Sequence, residues 1–479
     1  MPPAQIPSGI PNGAQQLIQT NMLSRDLQDG LRPVSMYRRD FPRRLLPPHV
    51  GQTMTMSKLS MFDVDLKPAN PLGEIDYAQF DVEQYTAKPV PYAKGFKVDG
   101  PTAYVQVGNY VEEQLKRLAE WGGRTSSRLA RGRLFAYAGG KAIVRKAATT
   151  SDATLYVNSL MGFRSNPVLG TLMPVSAGNP LPITIVAGST FLASVVGSVP
   201  DNANFPDGPG TLILLANLSN AVAGKSYIYA HTTKPFSIIA GGKASTEALT
   251  ATDSPTLNDV MLMRARLQDT GVPRHPDGTY HLHCDSAFLQ LITNDPKWAQ
   301  AFQGAGISPI FGAGAMFVPN LGITIFENND SPGSGKGKEV HVGALSSDAN
   351  VAMQDLGLDV INSSGVYIRR AIMSGDAVGY ETFIDESLYF SELGIRPVGQ
   401  ITSNLQLYTF NGGAQMISGE VDGWRLSITP AFDPRQLMCT FAISLVADWT
   451  LATDIFNAAS SSNLAPLKRA VAMEFGSTW

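Results

Sequence analysis

Residues 104–147 read YVQVGNYVEEQLKRLAEWGGRTSSRLARGRLFAYAGGKAIVRKA. Apolar side chains recur in this stretch at the spacing of one helix face. They are Val107, Val111, Leu115 and Leu118, followed further on by Ala130, Leu134 and Tyr137. At ~1.5 Å of rise per residue, a helix of this length would extend roughly 66 Å, which is more than an ordinary globular core needs. We predict a long helix over 104–147 that is kinked or divided at Gly122-Gly123.

The second half of this stretch is strongly basic. Between Arg124 and Lys146 the sequence has seven cations and no carboxylate, namely Arg124, Arg128, Arg131, Arg133, Lys141, Arg145 and Lys146. Helical spacing places the first three arginines near one face, with Arg133 to the side. A solvated helix face and salt bridges to acidic residues of a neighbouring subunit would both explain this pattern. A third interpretation is a surface that faces a polyanion.

Composition indicates a large globular protein that assembles with other chains. The 479 residues are 44% hydrophobic, only 16% are charged, and the formal net charge is −3. This length suffices for two or more domains, and the low charge favours burial of surface between subunits. The two cysteines, Cys284 and Cys439, are far apart and suggest no disulfide framework. We expect no signal peptide in the first residues, and no membrane span, because Pro182, Gly188 and Gly197 interrupt the longest uncharged stretch.

The chain before the helix divides into an arm and a hairpin. Residues 1–50 are rich in proline and arginine and predict an extended arm that lies on a neighbour. Residues 51–103 change to a period of two, which predicts a long two-stranded excursion. An isolated hairpin is marginal in water, so its apolar side should pack on another subunit. The side chains of that apolar side are Met54, Met56, Phe62 and Val64.

The chain after the helix changes composition twice. Residues 153–245 have only six charged side chains and alternate apolar runs with turn residues, which predicts an inserted all-β domain. From Ser254 the pattern is mixed, and Ser254-Pro255 is typical of a helix N-cap followed by proline at the first helical position. The stretch TYHLHC (279–284) predicts a strand and DSAFLQLITND (285–295) a helix, while the last third is rich in strands.

Motifs for chemistry are weak throughout the sequence. Ser219–Ser226 ends like a phosphate-binding loop, but serine stands where the first glycine is needed and a strand pattern follows. GSGKGKE (333–339) fails a similar test. His281, His283 and Cys284 do not converge locally on a strand, so a polar strand face is the better interpretation than a metal site. We expect no catalytic, cofactor-binding or metal-binding residues.

The order of these parts resembles the major capsid proteins of tailed bacteriophages, with the Hong Kong 97-like fold, in particular the N4-like branch. The resemblance implies an α+β chain with an N-terminal arm (1–50), an E-loop hairpin (51–103) and a spine helix in a peripheral domain (104–152). It further implies an axial domain with peripheral-domain strands (246–420) and a return to the peripheral domain (421–479), with 153–245 as the inserted β domain. YHLHCDSAFLQLITNDPKWAQAFQGAG (280–306) resembles the core of the axial domain.

The resemblance also implies a function and partners. Such a chain is not an enzyme, forms hexamers and pentamers of an icosahedral shell in the host bacterial cytoplasm, and is found in the virion. The chain has no long charged coiled-coil prefix, so a separate scaffold is an implied partner. The resemblance also implies a portal and decoration proteins as partners. Packaged double-stranded DNA would be contacted without sequence readout. The expected genome-facing arginines are Arg38, Arg39, Arg43, Arg44, Arg124, Arg128, Arg131 and Arg133.

Two other functions fit parts of the sequence. One is another β-rich virion component, such as a tail, fibre or decoration protein, which would form a trimer or a ring instead of a shell. The other is a hydrolase with a β accessory module, which substrate turnover dependent on a carboxylate pair would reveal.

Overall fold

The computed structural model describes about three fifths of the chain. The described residues are 36–47, 54–59, 82–99, 110–135, 140–160, 162–166, 173–187, 189–201, 209–224, 226–230, 237–303, 310–312, 315–318, 321–327, 362, 364–385, 395, 397–402, 405–410, 415–430, 438–451 and 469–477. The chain divides into two compact units. Unit 1 comprises 1–56, 86–130 and 380–450, and unit 2 comprises 57–85, 131–379 and 451–479.

Unit 1 is built around an eight-stranded sheet. Its strands, in spatial order, are Arg43–Leu45, Gly379–Phe383, Met438–Leu451, Trp424–Thr429, Gln415–Val421, Leu405–Thr409 and Pro397–Thr402, and Val90–Asp99 also pairs with Met438–Leu451. Met438–Leu451 alternates buried and half-exposed residues along most of its length, as expected of a strand with one face on a core. The edge strand Arg43–Leu45 pairs in parallel with residues 381–383.

The predicted spine is a single helix, α1 (Tyr110–Phe135). It runs through Gly122-Gly123 without a break, so the predicted division was wrong. The hydroxyl of Ser126 donates to the carbonyl oxygens of both glycines, at 3.0 and 3.1 Å. Both glycines are buried, where a larger side chain would need space. The helix therefore continues despite the ~1 kcal/mol that each glycine costs in a helix interior.

Residues 141–230 of unit 2 form a six-stranded barrel. Its strands, in spatial order, are Lys141–Ile143, Tyr227–Ala230, Leu181–Ala187, Ser189–Pro200, Gly210–Leu214 and Thr154–Val157. An antiparallel bridge between Val144 and Val157 joins the first and last strands and closes the sheet. The barrel therefore begins earlier than the predicted insert at 153, and it ends before 245. Lys141–Ile143, which lies within the predicted spine helix, is a barrel strand.

The rest of unit 2 is a mixed seven-stranded sheet with helices. Its strands, in spatial order, are Ser237–Ile239, Ala470–Ser477, Tyr367–Ser374, Tyr280–Cys284, Ile323–Glu327, Ala315–Val318 and Ile310–Gly312. The helices are α2 (Leu257–Asp269), α3 (Ser286–Thr293) and α4 (Pro296–Gln303). The last strand of the chain lies in this sheet and not with the strands of 421–451. The expected single return of 421–479 to one domain was therefore wrong.

Short elements complete the described fold. Met54–Leu59 pairs with Val82–Ala87, and Ser165–Asn166 pairs with Met173–Pro174. Short 3₁₀ turns cover Tyr37–Asp40, Ala240–Gly242 and Thr246–Ala248. Among the described helices, none is long and apolar enough to span a membrane.

Helix α2 begins two residues later than Ser254 would require. Its N-cap is Thr256, whose hydroxyl accepts from the amide of Asp259. The Asp259 carboxylate in turn accepts from the amide of Thr256 at 3.0 Å, which completes a capping box. The prediction of Ser254 as N-cap was wrong, because a Thr and an acidic residue three positions later satisfy two amides at once.

Candidate assembly and nucleic-acid surfaces

The described part of the arm is docked on unit 1 by a buried ion pair. The guanidinium of Arg38 is 7% exposed and donates to the fully buried carboxylate of Glu381, with Nη2 2.7 Å from Oε1. Its Nη1 donates to the backbone oxygen of Asp422 at 2.9 Å. Burial alone would lower the pKa of Arg38, but hydrogen bonding and attraction to Glu381 outweigh it and raise that pKa. The expected genome-facing role of Arg38 is therefore wrong: this guanidinium is committed to a carboxylate of its own chain.

Two further arginines of the arm lie on aromatic rings of the same sheet. Arg43 donates to Glu381 with Nε 3.2 Å from Oε1, and its guanidinium lies 4.1 Å from the ring centre of Phe383. Arg44 lies 3.7 Å from the ring centre of Tyr380. Cation–π contacts of this kind add ~0.5–1 kcal/mol each at exposed sites. The edge strand therefore adheres through its side chains as well as through its three backbone pairs.

The turn beneath the arm needs glycine. Gly423 has a φ of 80°, and a Cβ atom there would lie 2.2 Å from Nη2 of Arg43. It follows Asp422 in the hairpin between Gln415–Val421 and Trp424–Thr429, and Asp-Gly is a strong hairpin signal that was available in the sequence. Sequence reasoning missed that this turn, together with Glu381, forms the receptor for the arm. The two sites are far apart in the chain and only the fold joins them.

A substitution at this turn should loosen the arm. We expect Gly423→Ala to make residues 36–47 more susceptible to proteolysis, because the new methyl group displaces Arg43 in addition to straining the backbone by ~1–2 kcal/mol. Gly278→Ala is the matched control, since Gly278 has a φ of 81° but nothing within 4 Å of its Cβ position. If both variants release the arm equally, the contact between Arg43 and Gly423 does not hold it.

The cations of α1 differ widely in exposure. Arg124 is exposed and lies 4.0 Å from Glu120, whereas Arg131 is only 3% exposed and Arg128 and Arg133 are half-buried. The single basic face that was predicted for these residues is therefore not an open surface in this chain, and Arg131 cannot present its charge to solvent. The more exposed half of α1 instead has Glu–Lys and Glu–Arg pairs, Glu112–Lys116 and Glu113–Arg117. Such exposed pairs balance charge and add little stability.

The hairpin residues are only partly described. Met56 is 3% exposed, and its sulfur accepts from Nη1 of Arg44 at 3.7 Å, while Met54 is half-buried. Phe62 and Val64 lie outside the described residues. Contact of this apolar set with an adjacent subunit stays a prediction, although Met56 is already covered within its own chain.

The histidine strand is buried on both faces. All five residues of Tyr280–Cys284 are buried, so the polar face that His281 and His283 share is not exposed to solvent. The imidazole of His281 lies 2.9 Å from the Asp277 carboxylate and stacks on His275 with ring centres 3.7 Å apart. Burial would raise the pKa of Asp277, but hydrogen bonds from Thr279 and His281 outweigh it and lower that pKa. Burial raises the pKa of Cys284 well above its usual value and that of Cys439 to about 12, which disfavours reactive thiolates.

The loop at 219–226 has no phosphate-binding geometry in its described residues. Val222 bridges to Ala148, and the segment leads into the barrel strand Tyr227–Ala230. A phosphate loop would lead into a helix whose first amides bind the anion. The strand that the sequence predicted after this loop is confirmed.

Comparisons with known proteins find similarity only among solved structures, at low sequence identity. No protein-family model and no curated protein matches the sequence. Among solved structures, the capsid asymmetric unit of cyanophage Pam1 is 10% identical with a TM-score of 0.46, covering 94% of this chain and 93% of that one. The capsid of Ralstonia phage GP4 is 10% identical with a TM-score of 0.44, covering 93% and 92%. The acid-stable capsid of Helicobacter pylori bacteriophage KHP30 is 8% identical with a TM-score of 0.38, covering 93% and 90%. Along more than nine tenths of its length, the chain is similar to capsid chains of these phages.

Proposed function

We propose that this chain is a major capsid protein that self-assembles as hexamers and pentamers into the icosahedral head of a tailed phage. Its role is structural and not enzymatic. It acts in the virion shell, after assembly in the host bacterial cytoplasm with a separate scaffold, a portal and decoration proteins. The shell encloses double-stranded DNA without reading its sequence.

The order of elements along the chain carries this proposal. An arm docked on a sheet is followed by a two-stranded excursion, a 26-residue helix, an inserted barrel and a mixed sheet with helices. This is the order that the Hong Kong 97-like resemblance implies. Buried residues of the described chain hold structural ion pairs, such as Arg369–Asp285 and Arg370–Glu474.

Microscopy of the expressed chain tests the proposal. The chain would be produced alone and together with the neighbouring virion genes of its phage, and the lysates would be examined by cryo-electron microscopy. We expect closed shells with five-fold and six-fold capsomers. A chain that stays monomeric in every combination, or that forms only rings or trimers, would refute the assignment.

Under this proposal, the arginines that contact DNA are those whose side chains are exposed. Arg39, Arg44 and Arg124 are exposed in the described chain, whereas Arg38 and Arg131 are buried. We expect Arg39→Gln with Arg124→Gln to leave shell formation intact and to reduce DNA retention in filled heads, because each charge neutralises a phosphate. The double Lys variant is the control, since a phosphate contact needs only charge and reach. Failure of empty shells to form in the Gln variant would instead assign these charges to subunit contacts.

The hairpin prediction is tested separately. We expect Phe62→Asp to weaken particles more than it destabilises the free subunit, because burying one such side chain between subunits is worth ~1.5–3 kcal/mol. Particle yield and the melting temperature of the unassembled chain give the comparison. Equal loss of both would place Phe62 in the core of its own chain.

A further inference from the structure

The barrel has an apolar stripe on the outside of two paired strands. Four aliphatic side chains on Ser189–Pro200 and at the end of Gly210–Leu214 are exposed: Leu192 (64%), Val199 (54%), Ile213 (37%) and Leu215 (56%). The register places them together, because Val199 pairs with Thr211 and Gly197 with Ile213, while the amide of Leu215 donates to the Ser194 oxygen at 2.8 Å. Gly197 has no side chain to cover Ile213.

The side chains of the stripe do not contribute to the hydrophobic core of the barrel. Val195 and Leu214 pair with each other and point inward, where they are at most 4% exposed. They belong to a filled cluster that also contains Leu155, Ile183 and Ile228. Closure between Val144 and Val157 also removes the open edges through which a sheet usually recruits another strand. A partner that binds this face of the barrel must therefore contact the side chains of the stripe and cannot add a strand to an open sheet edge.

The charge and the exposed area of the stripe limit the kind of partner that could cover it. The two strands contain no charged residue, so they offer no cation to DNA and no ion-pair partner to a charged protein surface. An uncharged surface of the same kind is the best electrostatic match. The exposed fractions amount to about two whole aliphatic side chains, whereas a stable pairwise interface needs ~800 Å² and 20–30 residues per partner. The stripe is therefore too small to hold two free chains together.

We propose that the stripe packs against the barrel of a second copy of this chain, and only within an assembled shell. This inference rests on the proposed capsid function. Other contacts bring the copies together, and the stripe then adds its hydrophobic contribution at a high effective concentration. The contact serves to strengthen the particle and not to start assembly.

Thiol labelling of assembled particles tests the contact. Both native cysteines are buried, so Leu215→Cys introduces an accessible thiol on the stripe. Particles of the chain, made with scaffold alone, and unassembled chains would be treated with a maleimide. We expect labelling of Leu215→Cys to slow at least tenfold on assembly. Leu262→Cys on α2 is the matched control, because Leu262 is 46% exposed and lies outside the barrel.

The outcomes separate this inference from the proposed function. If no particles form from the unaltered chain, the capsid assignment fails. If particles form and Leu215→Cys reacts as fast in them as in free chains, no copy covers the stripe and the inference is wrong. If protection appears only after a different virion protein binds, that protein is the occupant and the inference is again wrong. A Leu192→Ser, Leu215→Ser variant should also form shells that dissociate at lower temperature, with an unchanged melt of the free chain.

Discussion

Glu381→Gln should destabilise unit 1 by ~3–5 kcal/mol, because it leaves the buried guanidinium of Arg38 without a compensating charge. The carboxylate is fully buried and receives both Arg38 and Arg43. Glutamine keeps the shape of the side chain but can accept only through its single oxygen. Since the chain has two units, one melting temperature would not isolate this effect. Hydrogen exchange of the amides of 379–383 and 438–451 measures it locally. We expect Glu381→Gln to speed exchange of these amides relative to the unaltered chain, and to change exchange in the barrel much less.

Glu420→Gln is the matched control for that experiment. Glu420 is 51% exposed and lies 3.9 Å from Nη2 of the same Arg43. An exposed pair of this kind contributes ~0–1 kcal/mol. If Glu381→Gln changes exchange no more than Glu420→Gln does, the arm is held by its backbone pairing and aromatic contacts instead of by the buried ion pair.

The sequence predicted individual helices and strands better than it predicted which segments pack or pair with one another. The periodicity of Val111, Leu115 and Leu118 was sufficient to predict the long helix, and these side chains are indeed buried. The Gly122-Gly123 prediction failed because each glycine costs only ~1 kcal/mol in a helix interior, and the helix continues through both of them. Pairing of Ala470–Ser477 with Tyr367–Ser374 likewise joins segments about a hundred residues apart, and no local pattern indicates it.

The arginines of the arm show the same difference between what the sequence predicted and what only the fold determines. Arginine-rich composition identified the arm, but it could not separate a structural Arg38 from an exposed Arg39, which are adjacent in sequence. The distinction arises because Arg38 in the 3₁₀ turn at Tyr37–Asp40 is buried against Glu381, whereas Arg39 is exposed. Charge runs therefore predict a basic segment, and only burial decides which of its cations remain available to a polyanion.

A buried ion pair, Arg370–Glu474, also lies in unit 2. We expect that both of its residues can be replaced together by apolar side chains. Glu474 is fully buried, accepts from Nε of Arg370 at 2.7 Å and accepts from the hydroxyl of Thr246. We expect Glu474→Leu to lower the free energy of unfolding by ~3–5 kcal/mol, because it leaves the Arg370 guanidinium buried without this carboxylate. Adding Arg370→Met should recover most of that loss, since two apolar side chains then fill a buried site between paired strands.

The double-mutant cycle distinguishes a buried ion pair from simple packing. Urea unfolding followed by hydrogen exchange in 367–374 and 470–477 gives each free energy within this sheet. Lys116→Gln on α1 is a control for loss of an exposed pair, because Lys116 is 51% exposed beside Glu112, and exchange of the α1 amides should show a cost under ~0.5 kcal/mol. If Arg370→Met adds a further loss to Glu474→Leu instead of restoring stability, the two residues act through separate packing contacts. Recovery would instead show that the sheet requires a matched pair at these positions and not charge as such.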